Sequence, residues 1–554
     1  MRRIVAALVI ALAAGIAALA QADPHPSGIV QGVATANPRA GHPPNVVARG
    51  FELHNLAEGS NQLENPTGIY DDFGFLADGA PPHLEATKTE ADENTYLVLN
   101  HVGGPTPGYD YGHHFLFQGH ETSSNRAYVT RINLDVKDPA HRITLLTPGD
   151  GATTGFNSFD GSAWDPFAGK LIYTQEAGTN GGVIEQSPFW TSSTPPPTTT
   201  LYGSIGRGGF EGIHPDDKGN LLILEDAGGQ SVPVDPNDPT SAKAAKQPNS
   251  FVFRFVPESP GDLAHGKLQV LQVSVDGHPV TFTCTASGST CPASAAQANA
   301  DVFSTDQLRL HSGDSFPVKW ATVHDTATDG TASFDANTAA KGINSHGTDA
   351  KGTPFKRPEN GQFQPDTGFR TFYFDATGDT DSRSGNQPAL AARGAWGSIF
   401  KVRLAPDRDT GTLNLYELGD ANHAAFDNLS FLDKNTLIAA EDRGDSLHTQ
   451  LNKLDSIWAY DVAGSSSDAK RFLALGRDPA SETDANIAAL PCIATSSCGF
   501  TFQNEGDNEP TGTHVSNGDP SVKGLLGTNV PDKNARAFFT QQHGENHVFQ
   551  IGRD

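Results

Sequence analysis

Cysteine, basic residues and long apolar runs are all scarce in this chain, and each scarcity excludes a class of protein. Only four of the 554 residues are cysteine, which is too few for a disulfide framework. The 38 Lys and Arg residues are outnumbered by 64 Asp and Glu residues, and the net charge of −26 argues against nucleic acid or an anionic membrane surface as partner. Beyond the N-terminus, no run reaches the roughly 18 apolar residues that a transmembrane helix needs.

The motifs of the common hydrolases and nucleotide-binding proteins are also missing. The chain has no Gly-x-Ser-x-Gly elbow, no phosphate-binding loop ending in Gly-Lys-Ser/Thr and no His-Glu-x-x-His zinc motif. The side chains left to carry chemistry are acids and amides near predicted strand ends: Asp71, Asp72, Asp160, Glu176, Glu211, Glu225, Glu359, Asp427, Asn428, Glu441, Asp442 and Glu509.

The N-terminus has the pattern of an export signal. Arg2 and Arg3 precede an apolar run from residue 4 to about residue 20, and Ala-x-Ala follows. We therefore predict a cleaved signal peptide over residues 1–22 and a secreted or periplasmic protein. Residues 23–45 are rich in proline and glycine, which is typical of an extended arm.

The four cysteines form two close pairs, Cys284 with Cys291 and Cys492 with Cys498. In an exported chain this spacing predicts two local disulfides that pin surface loops. Neither pair has the histidine partners of a zinc site.

A repeated pattern predicts the architecture. An acidic start, an apolar position, a turn rich in Asp, Pro, Gly or Asn, a β run and a polar end recur in segments 160–176, 211–226, 359–375 and 427–442. Such hairpins are typical of the blades of a β-propeller. We predict an all-β fold of about six blades over residues 46–554, as one domain with insertions near 274–350 and 464–508.

In a propeller, equivalent points of the blades face one mouth of the central channel, so the strand-end acids are expected to converge. Clustered carboxylates need compensating charge, and a hard cation with oxygen ligands, calcium first, supplies it. Glu211 and Glu359 each stand near an arginine, Arg207 and Arg357, and carboxylate, cation and arginine together outline a phosphate-ester site. The predicted metal ligands are Glu176, Glu211, Glu359, Asn428 and Glu441.

The chain resembles the PhoX-type alkaline phosphatases, which are secreted metal-dependent phosphomonoesterases on a β-propeller. The segments that carry the resemblance occur in the family's order along most of the mature chain. They are 69–73, 97–101, 206–212, 249–256, Lys356-Arg-Pro-Glu359, Phe426-Asp-Asn-Leu429 and Gln541-Gln-His-Gly544.

The resemblance implies a mixed iron and calcium cluster held by acids. It nominates Arg357 and Glu359 as catalytic, with Glu211 and Glu176 holding metal. Arg207 and Arg357, each near an acid, are the predicted substrate-binding residues. The family's metal-binding cysteine falls on or beside residues 174–175, where this chain has threonine and glutamine. A soft thiolate that favours iron is therefore absent at that position, so the sequence predicts calcium and leaves iron open.

The function predicted from the sequence is a metal-dependent phosphoric monoester hydrolase acting on a small phosphorylated substrate, as a monomer. Two alternatives remain open at this point. One is a calcium-dependent, lactonase-like hydrolase in which acids and amides polarise a carbonyl group. The other is a noncatalytic calcium-binding propeller, in which the metal serves stability alone.

Overall fold

The computed structural model describes residues 29, 31–77, 88–122, 125–147, 154–190, 195–281, 295–342, 352–464, 469–478, 508–515 and 536–553. The predicted signal peptide and all four cysteines lie outside these residues. The proposed cleavage and the two disulfides therefore stay predictions, as does the division of the chain into arm, domain and insertions.

Antiparallel β-strands dominate the described residues. They are β1 (Val46–Val47), β2 (Phe51–Ala57), β3 (Glu90–Val98), β4 (His114–Glu121), β5 (Tyr128–Asn133), β6 (Ile143–Leu145), β7 (Phe159–Asp165), β8 (Lys170–Gln175), β9 (Gly182–Gln186), β10 (Thr198–Thr200), β11 (Phe210–Pro215), β12 (Leu221–Glu225), β13 (Ser231–Pro233), β14 (Lys243–Lys246), β15 (Val252–Pro257), β16 (Gly266–Val275), β17 (His278–Pro279), β18 (Ser315–Asp325), β19 (Gly361–Phe363), β20 (Thr371–Ala376), β21 (Ser398–Leu404), β22 (Thr410–Leu418), β23 (Phe426–Asp433), β24 (Thr436–Glu441), β25 (Ser456–Asp461), β26 (Lys470–Ala474), β27 (Glu509–Val515), β28 (Ala537–Gln542) and β29 (His547–Arg553).

The helices are short and lie in the connections between strands. They are α1 (Ala295–Val302), α2 (Thr305–Leu310), α3 (Thr326–Asp329), α4 (Ala336–Ala340), α5 (Ser382–Gly385), α6 (Pro388–Ala391) and α7 (Gly444–Leu451). Among the described residues, none of them has the length and apolar character that a membrane crossing requires.

The strands form six blades around a central ring, which confirms the predicted all-β propeller. Blades 1 and 2 are β3–β6 and β7–β10, and blade 3 is β11, β12, β15 and β16. Blade 4 is β19–β22, blade 5 is β23–β26, and blade 6 is β27–β29. The innermost strands β3, β7, β11, β19, β23 and β27 contact one another in that order, and β27 contacts β3 to close the ring.

Strands from the N-terminal part of the chain complete the last two blades. β2 pairs antiparallel with β29, so blade 6 contains strands from both ends of the chain. β1 pairs with β26 at the edge of blade 5. Joining the first and last segments in one sheet closes the ring, because neither blade 1 nor blade 6 can then separate without breaking a ladder of backbone hydrogen bonds.

One strand joins two blades into a single sheet. β18 pairs with β16 at the outer edge of blade 3 and with β22 at the outer edge of blade 4. The described part of the predicted insertion near 274–350 thus holds this linking strand and helices α1–α4. It fixes the relative position of the two blades between which the Arg357 loop runs.

The hydrophobic core lies between the faces of neighbouring blades. All five residues of β12 are buried, as are all six of β5, β11 and β20. In β12 this burial on both faces matches the continuous apolar run of residues 221–224, whereas β5 and β11 also bury polar side chains such as Arg131 and His214. This packing fixes the positions of the inner strands, and their ends at the mouth of the channel carry the clustered acids.

Candidate metal centre

The acids reach the mouth of the channel through a shared local irregularity. Phe159, Phe210 and Phe426 open the innermost strands of three blades, and the pairing register shifts directly after each of them. A β-bulge of this kind re-aims the side chains that follow it. The acids beside the three bulges are Asp160, Glu211 and Asp427. In blade 1 the register shifts between Ala91 and Asn94, and Asp92 lies in that interval.

The neighbouring strand of each blade adds a second acid where it ends. Residues Gln175, Glu225 and Glu441 are the direct partners of the three phenylalanines, and the next residue of each strand is again acidic. These second acids are Glu176, Asp226 and Asp442. Each of these blades therefore presents a pair of carboxylates at the same end of the channel, as the repeat in the sequence predicts.

Seven of the carboxylates form one continuous belt. They make three groups, in each of which one oxygen per residue lies within 4.8 Å of the others. The groups are Asp92, Glu121 and Asp160; Asp160, Glu176 and Glu211; and Glu211, Glu359 and Asp427. Because Asp160 and Glu211 each belong to two groups, the belt runs without a break from blade 1 to blade 5.

Burial makes this belt electrostatically costly. Asp160 is 6% exposed, Glu211 7% and Glu359 2%. Burial first, and then the repulsion of neighbouring carboxylates, raises the pKa of Glu176 to about 8. The same two causes raise the pKa values of five further members of the site well above their ordinary range: Glu121, Asp160, Glu211, Asp427 and Glu509. Ionised acids this close together require cations.

Arg357 is the basic group set among these acids. Its Nε donates to Asp226 Oδ2 at 2.7 Å, and its Nη2 lies 3.3 Å from Glu359 Oε1. Burial alone would lower the pKa of Arg357, but Asp226 and Glu359 raise it well above its usual value. The backbone of Arg357 is left-handed, with φ of 56°, a conformation that costs about 1–2 kcal/mol outside glycine. Such strain is concentrated at functional sites.

One arginine does not balance the belt, and the donor set fits a hard cation. Asp226 Oδ1 is buried and has no hydrogen-bond partner among the described residues, although Oδ2 of the same carboxylate is paired with Arg357. The three groups of the belt contain carboxylate oxygens only. In proteins generally, calcium binds six to eight oxygen ligands at about 2.3–2.6 Å. The closely spaced carboxylates of the belt offer ligands of this kind.

The side of the ring between blades 6 and 1 is compensated differently. Lys88, 2% exposed, lies 3.0 Å from His543 Nδ1 and 3.6 Å from Glu90 Oε1. His543 also lies 3.4 Å from Glu509 Oε2. Burial would raise the pKa of Glu90, yet His543 and Lys88 together lower it. This part of the site therefore carries its own positive charge.

Three of the five predicted metal ligands, Glu176, Glu211 and Glu359, are brought together in the belt. Asn428 is placed elsewhere: its Oδ1 accepts from the backbone N–H and the hydroxyl of Thr513, both at 3.0 Å. Its amide therefore joins blades 5 and 6 by hydrogen bonds.

Glu441 and Arg207 also lie outside the belt. Glu441 is fully buried and accepts from Arg443 Nη2 at 2.7 Å. The acid at the end of β24 that lies near the belt is the next residue, Asp442, whose charge helps to raise the pKa of Glu176. The Arg207 guanidinium stacks on the Tyr202 ring at 3.9 Å and donates to Ser333. Of the two arginines predicted to bind substrate, only Arg357 contacts acids of the site, namely Asp226 and the belt residue Glu359.

Thr174, at or beside the position of the family's cysteine, and two buried histidines make structural contacts. Thr174 Oγ1 donates to the backbone carbonyl of Glu211 at 2.6 Å, which ties blade 2 to blade 3. His120 and His214 are buried, and burial lowers their pKa values to about 3 and about 4. Both rings are therefore neutral hydrogen-bonding groups near neutral pH.

Several members of the site were not predicted from the sequence: Lys88, Glu90, Asp92 and Asp226. Asp226 ends the repeated segment 211–226 and could have been found by aligning the strand ends of the repeats, whereas Asp92 lies in blade 1, outside the repeated segments. Lys88 precedes β3 and belongs to no repeated segment, so no pattern in the sequence distinguishes it from a surface lysine.

Neither a protein-family model nor a curated protein sequence matches the chain. Among solved structures, the chain is similar to PhoX of Pseudomonas fluorescens in complex with vanadate, a transition-state analogue, with a TM-score of 0.51 and 12% identity over 95% of this chain and 98% of that one. It is also similar to a gluconolactonase from Xanthomonas campestris, with a TM-score of 0.34 and 10% identity over 95% of this chain and 99% of that one. The likeness to PhoX shows the fold, a PhoX-like β-propeller.

Proposed function

We propose that this protein is a metal-dependent phosphoric monoester hydrolase whose active site is the carboxylate belt around Arg357. The observation that carries the proposal is the position of Arg357, held by two buried acids at the edge of a belt that needs cations. The PhoX-like fold supports the proposal, because the solved PhoX structure contains vanadate, an analogue of the transition state.

A phosphate ester would be repelled by the belt alone, so the proposal requires bound cations. The residues that would hold them are the seven belt carboxylates, and the all-oxygen donor set favours calcium. When bound, calcium would polarise a phosphoryl oxygen and offset the negative charge of the ester.

Arg357 would bind the phosphoryl group directly. Its side chain is 23% exposed, and its Nη1 has no hydrogen-bond partner among the described residues. Asp226 and Glu359 hold the other two nitrogens and so fix the plane of the guanidinium. A planar donor fixed in this way can bind phosphoryl oxygens with little loss of side-chain entropy.

The test is turnover of p-nitrophenyl phosphate by the purified mature protein, before and after chelation and again after calcium is restored. We expect chelator-sensitive turnover that vanadate inhibits. Arg357→Lys keeps the charge but loses the planar donor set, and we expect roughly 100-fold slower turnover, the usual loss for one transition-state donor. Arg403→Lys is the matched control, because Arg403 is exposed on blade 4.

Two results would replace the proposal with one of the alternatives raised by the sequence. Hydrolysis of lactones without hydrolysis of phosphate esters would indicate a lactonase-like enzyme. Bound calcium with no turnover of either substrate, and a lower melting temperature after chelation, would indicate a noncatalytic propeller.

A further inference from the structure

We propose that Thr377 and Asp379, which follow strand β20 of blade 4, are positioning residues for the metal centre. Their hydrogen bonds and ion pair hold the loop of residues 356–359, and with it the side chains of Arg357 and Glu359, in place beside the belt. The catalytic consequence rests on the proposed function, but the effect on metal binding does not.

The Thr377 hydroxyl selects one oxygen of Glu359. Thr377 Oγ1 donates to Glu359 Oε1 at 2.5 Å, and Arg357 Nη2 approaches the same oxygen at 3.3 Å. Both partners therefore engage Oε1, so Oε2 would be the oxygen left to hold a cation together with Glu211 and Asp427. Thr377 is fully buried, so water does not compete for its hydroxyl.

The backbone of the same segment fixes the loop. Thr377 N donates to the carbonyl of Arg357 at 3.0 Å, and Gly378 N donates to the carbonyl of Lys356 at 3.2 Å. These two bonds extend β20 past its last paired residue. They hold Arg357 at its left-handed φ, which an unsupported loop residue would leave for a cheaper conformation.

A buried ion pair anchors the end of the segment. Lys356 Nζ donates to Asp379 Oδ1 at 2.7 Å, and the two side chains are 4% and 0% exposed. Asp379 also accepts from the Lys246 backbone N–H at 3.2 Å and from the Ser384 hydroxyl. The carboxylate thus joins the loop to β14 and to α5, two elements that also contact each other.

The turn between the two positioning residues admits only glycine. Gly378 has φ of +84°, and a Cβ there would lie 2.5 Å from Gly394 O and 2.6 Å from Gly397 N. Since both contacts are backbone atoms, they cannot move aside. The path of residues 377–379 is therefore fixed by the turn as well as by its hydrogen bonds.

The experiment compares Thr377→Val with Thr377→Ser by calorimetric titration of the chelator-stripped full mature chain with calcium. Valine keeps the shape of the side chain and removes the hydroxyl, whereas serine keeps the hydroxyl. We expect calcium affinity to fall 10- to 100-fold in Thr377→Val, as for other partners of ligating groups, and to stay within about 3-fold of wild type in Thr377→Ser.

Thr144→Val is the matched control. Thr144 is also fully buried and its hydroxyl donates to a carboxylate, Glu64 Oε2 at 3.3 Å, in the outer part of blade 1. It should lose stability but not calcium affinity. Melting temperatures of all three variants without metal, measured alongside, separate a loss of folding from a loss of positioning.

The outcomes distinguish this proposal from the proposed function. Wild-type calcium affinity in Thr377→Val, an equal loss in Thr144→Val, or no calcium binding by the wild-type protein would overturn the positioning role. A selective loss in Thr377→Val in a protein that hydrolyses no phosphate ester would leave the positioning role intact and overturn the phosphatase proposal alone.

Discussion

Stripped of metal, the protein should lose stability as the pH rises, and calcium should restore it. Glu176 illustrates the sign: burial and neighbouring acids raise its pKa from 4.5 to about 8 in the folded protein. Between these values the folded state binds more protons than the unfolded state, so stability falls as the pH increases. The contribution of Glu176 to the free energy of unfolding is therefore fully present below about pH 4.5 and is lost as the pH rises through about 8.

The size of the effect follows from the same interval. At about 1.4 kcal/mol per pH unit, the interval from 4.5 to about 8 corresponds to roughly 5 kcal/mol for one group. Glu176 is partly exposed, and solvent screening reduces this, so we expect about 2–3 kcal/mol from this side chain. Further acids of the belt act in the same direction, whereas Glu90 acts in the opposite one because its pKa is lowered.

The assay is thermal unfolding of the chelated protein and of the calcium-loaded protein from about pH 5 to about pH 9. We expect the chelated protein to melt several degrees lower at the alkaline end, and calcium to remove most of the difference. Glu176→Gln should reduce the alkaline loss of the chelated protein, because it deletes one of the titrating carboxylates. A chelated protein equally stable at both ends of the range would refute the electrostatic argument.

Three substitutions test the architecture of the site. A Cβ on Gly161 would overlap the backbone carbonyl of Glu211, so Gly161→Ala should displace a belt residue and weaken calcium binding at least 10-fold by calorimetric titration. Glu441→Gln should destabilise the protein by about 3 kcal/mol in denaturant unfolding, because it removes the closer of the two carboxylates that pair with buried Arg443, and should leave calcium binding unchanged. Asn428→Ala should cost about 1–3 kcal/mol in the same unfolding assay, since the buried N–H of Thr513 loses its acceptor, again without changing the calcium affinity.

Glu441→Gln and Asn428→Ala test which residues bind calcium, because both should lower stability without lowering calcium affinity. If Glu441→Gln or Asn428→Ala lowered calcium affinity as much as Gly161→Ala, these side chains would be metal ligands. The assignment of the belt from the bulges and strand ends would then be wrong.

The fold was predictable from the sequence because the same order of acidic residue, turn and β run recurs along the chain. Each of the four repeated segments places turn residues between two β runs, and repeated small antiparallel sheets of this kind are typical of a propeller. The linking strand β18 was not predictable in the same way. It lies in a polar region near residues 274–350, and its role depends on pairing with two sheet edges distant in sequence.

The site was predictable to the extent that it follows the repeat. Arg357, Glu359, Glu211 and Glu176 were selected from the sequence, and the structure brings them together. Lys88 was not, because its position among Glu90 and His543 depends on the closure of blade 6 against blade 1.

The choice between adjacent acids shows where the missing information lay. Glu441 and Asp442 are chemically almost equivalent, yet successive side chains of a strand face opposite ways, so only one can reach the channel. Aligning the ends of β8, β12 and β24 makes Gln175, Glu225 and Glu441 equivalent, and each directly pairs with a phenylalanine of the inner strand. The residues that follow, Glu176, Asp226 and Asp442, then form the equivalent set that faces the cluster. The repeat contains this answer, but only once the register of the bulge is known, and backbone pairing rather than residue type determines that register.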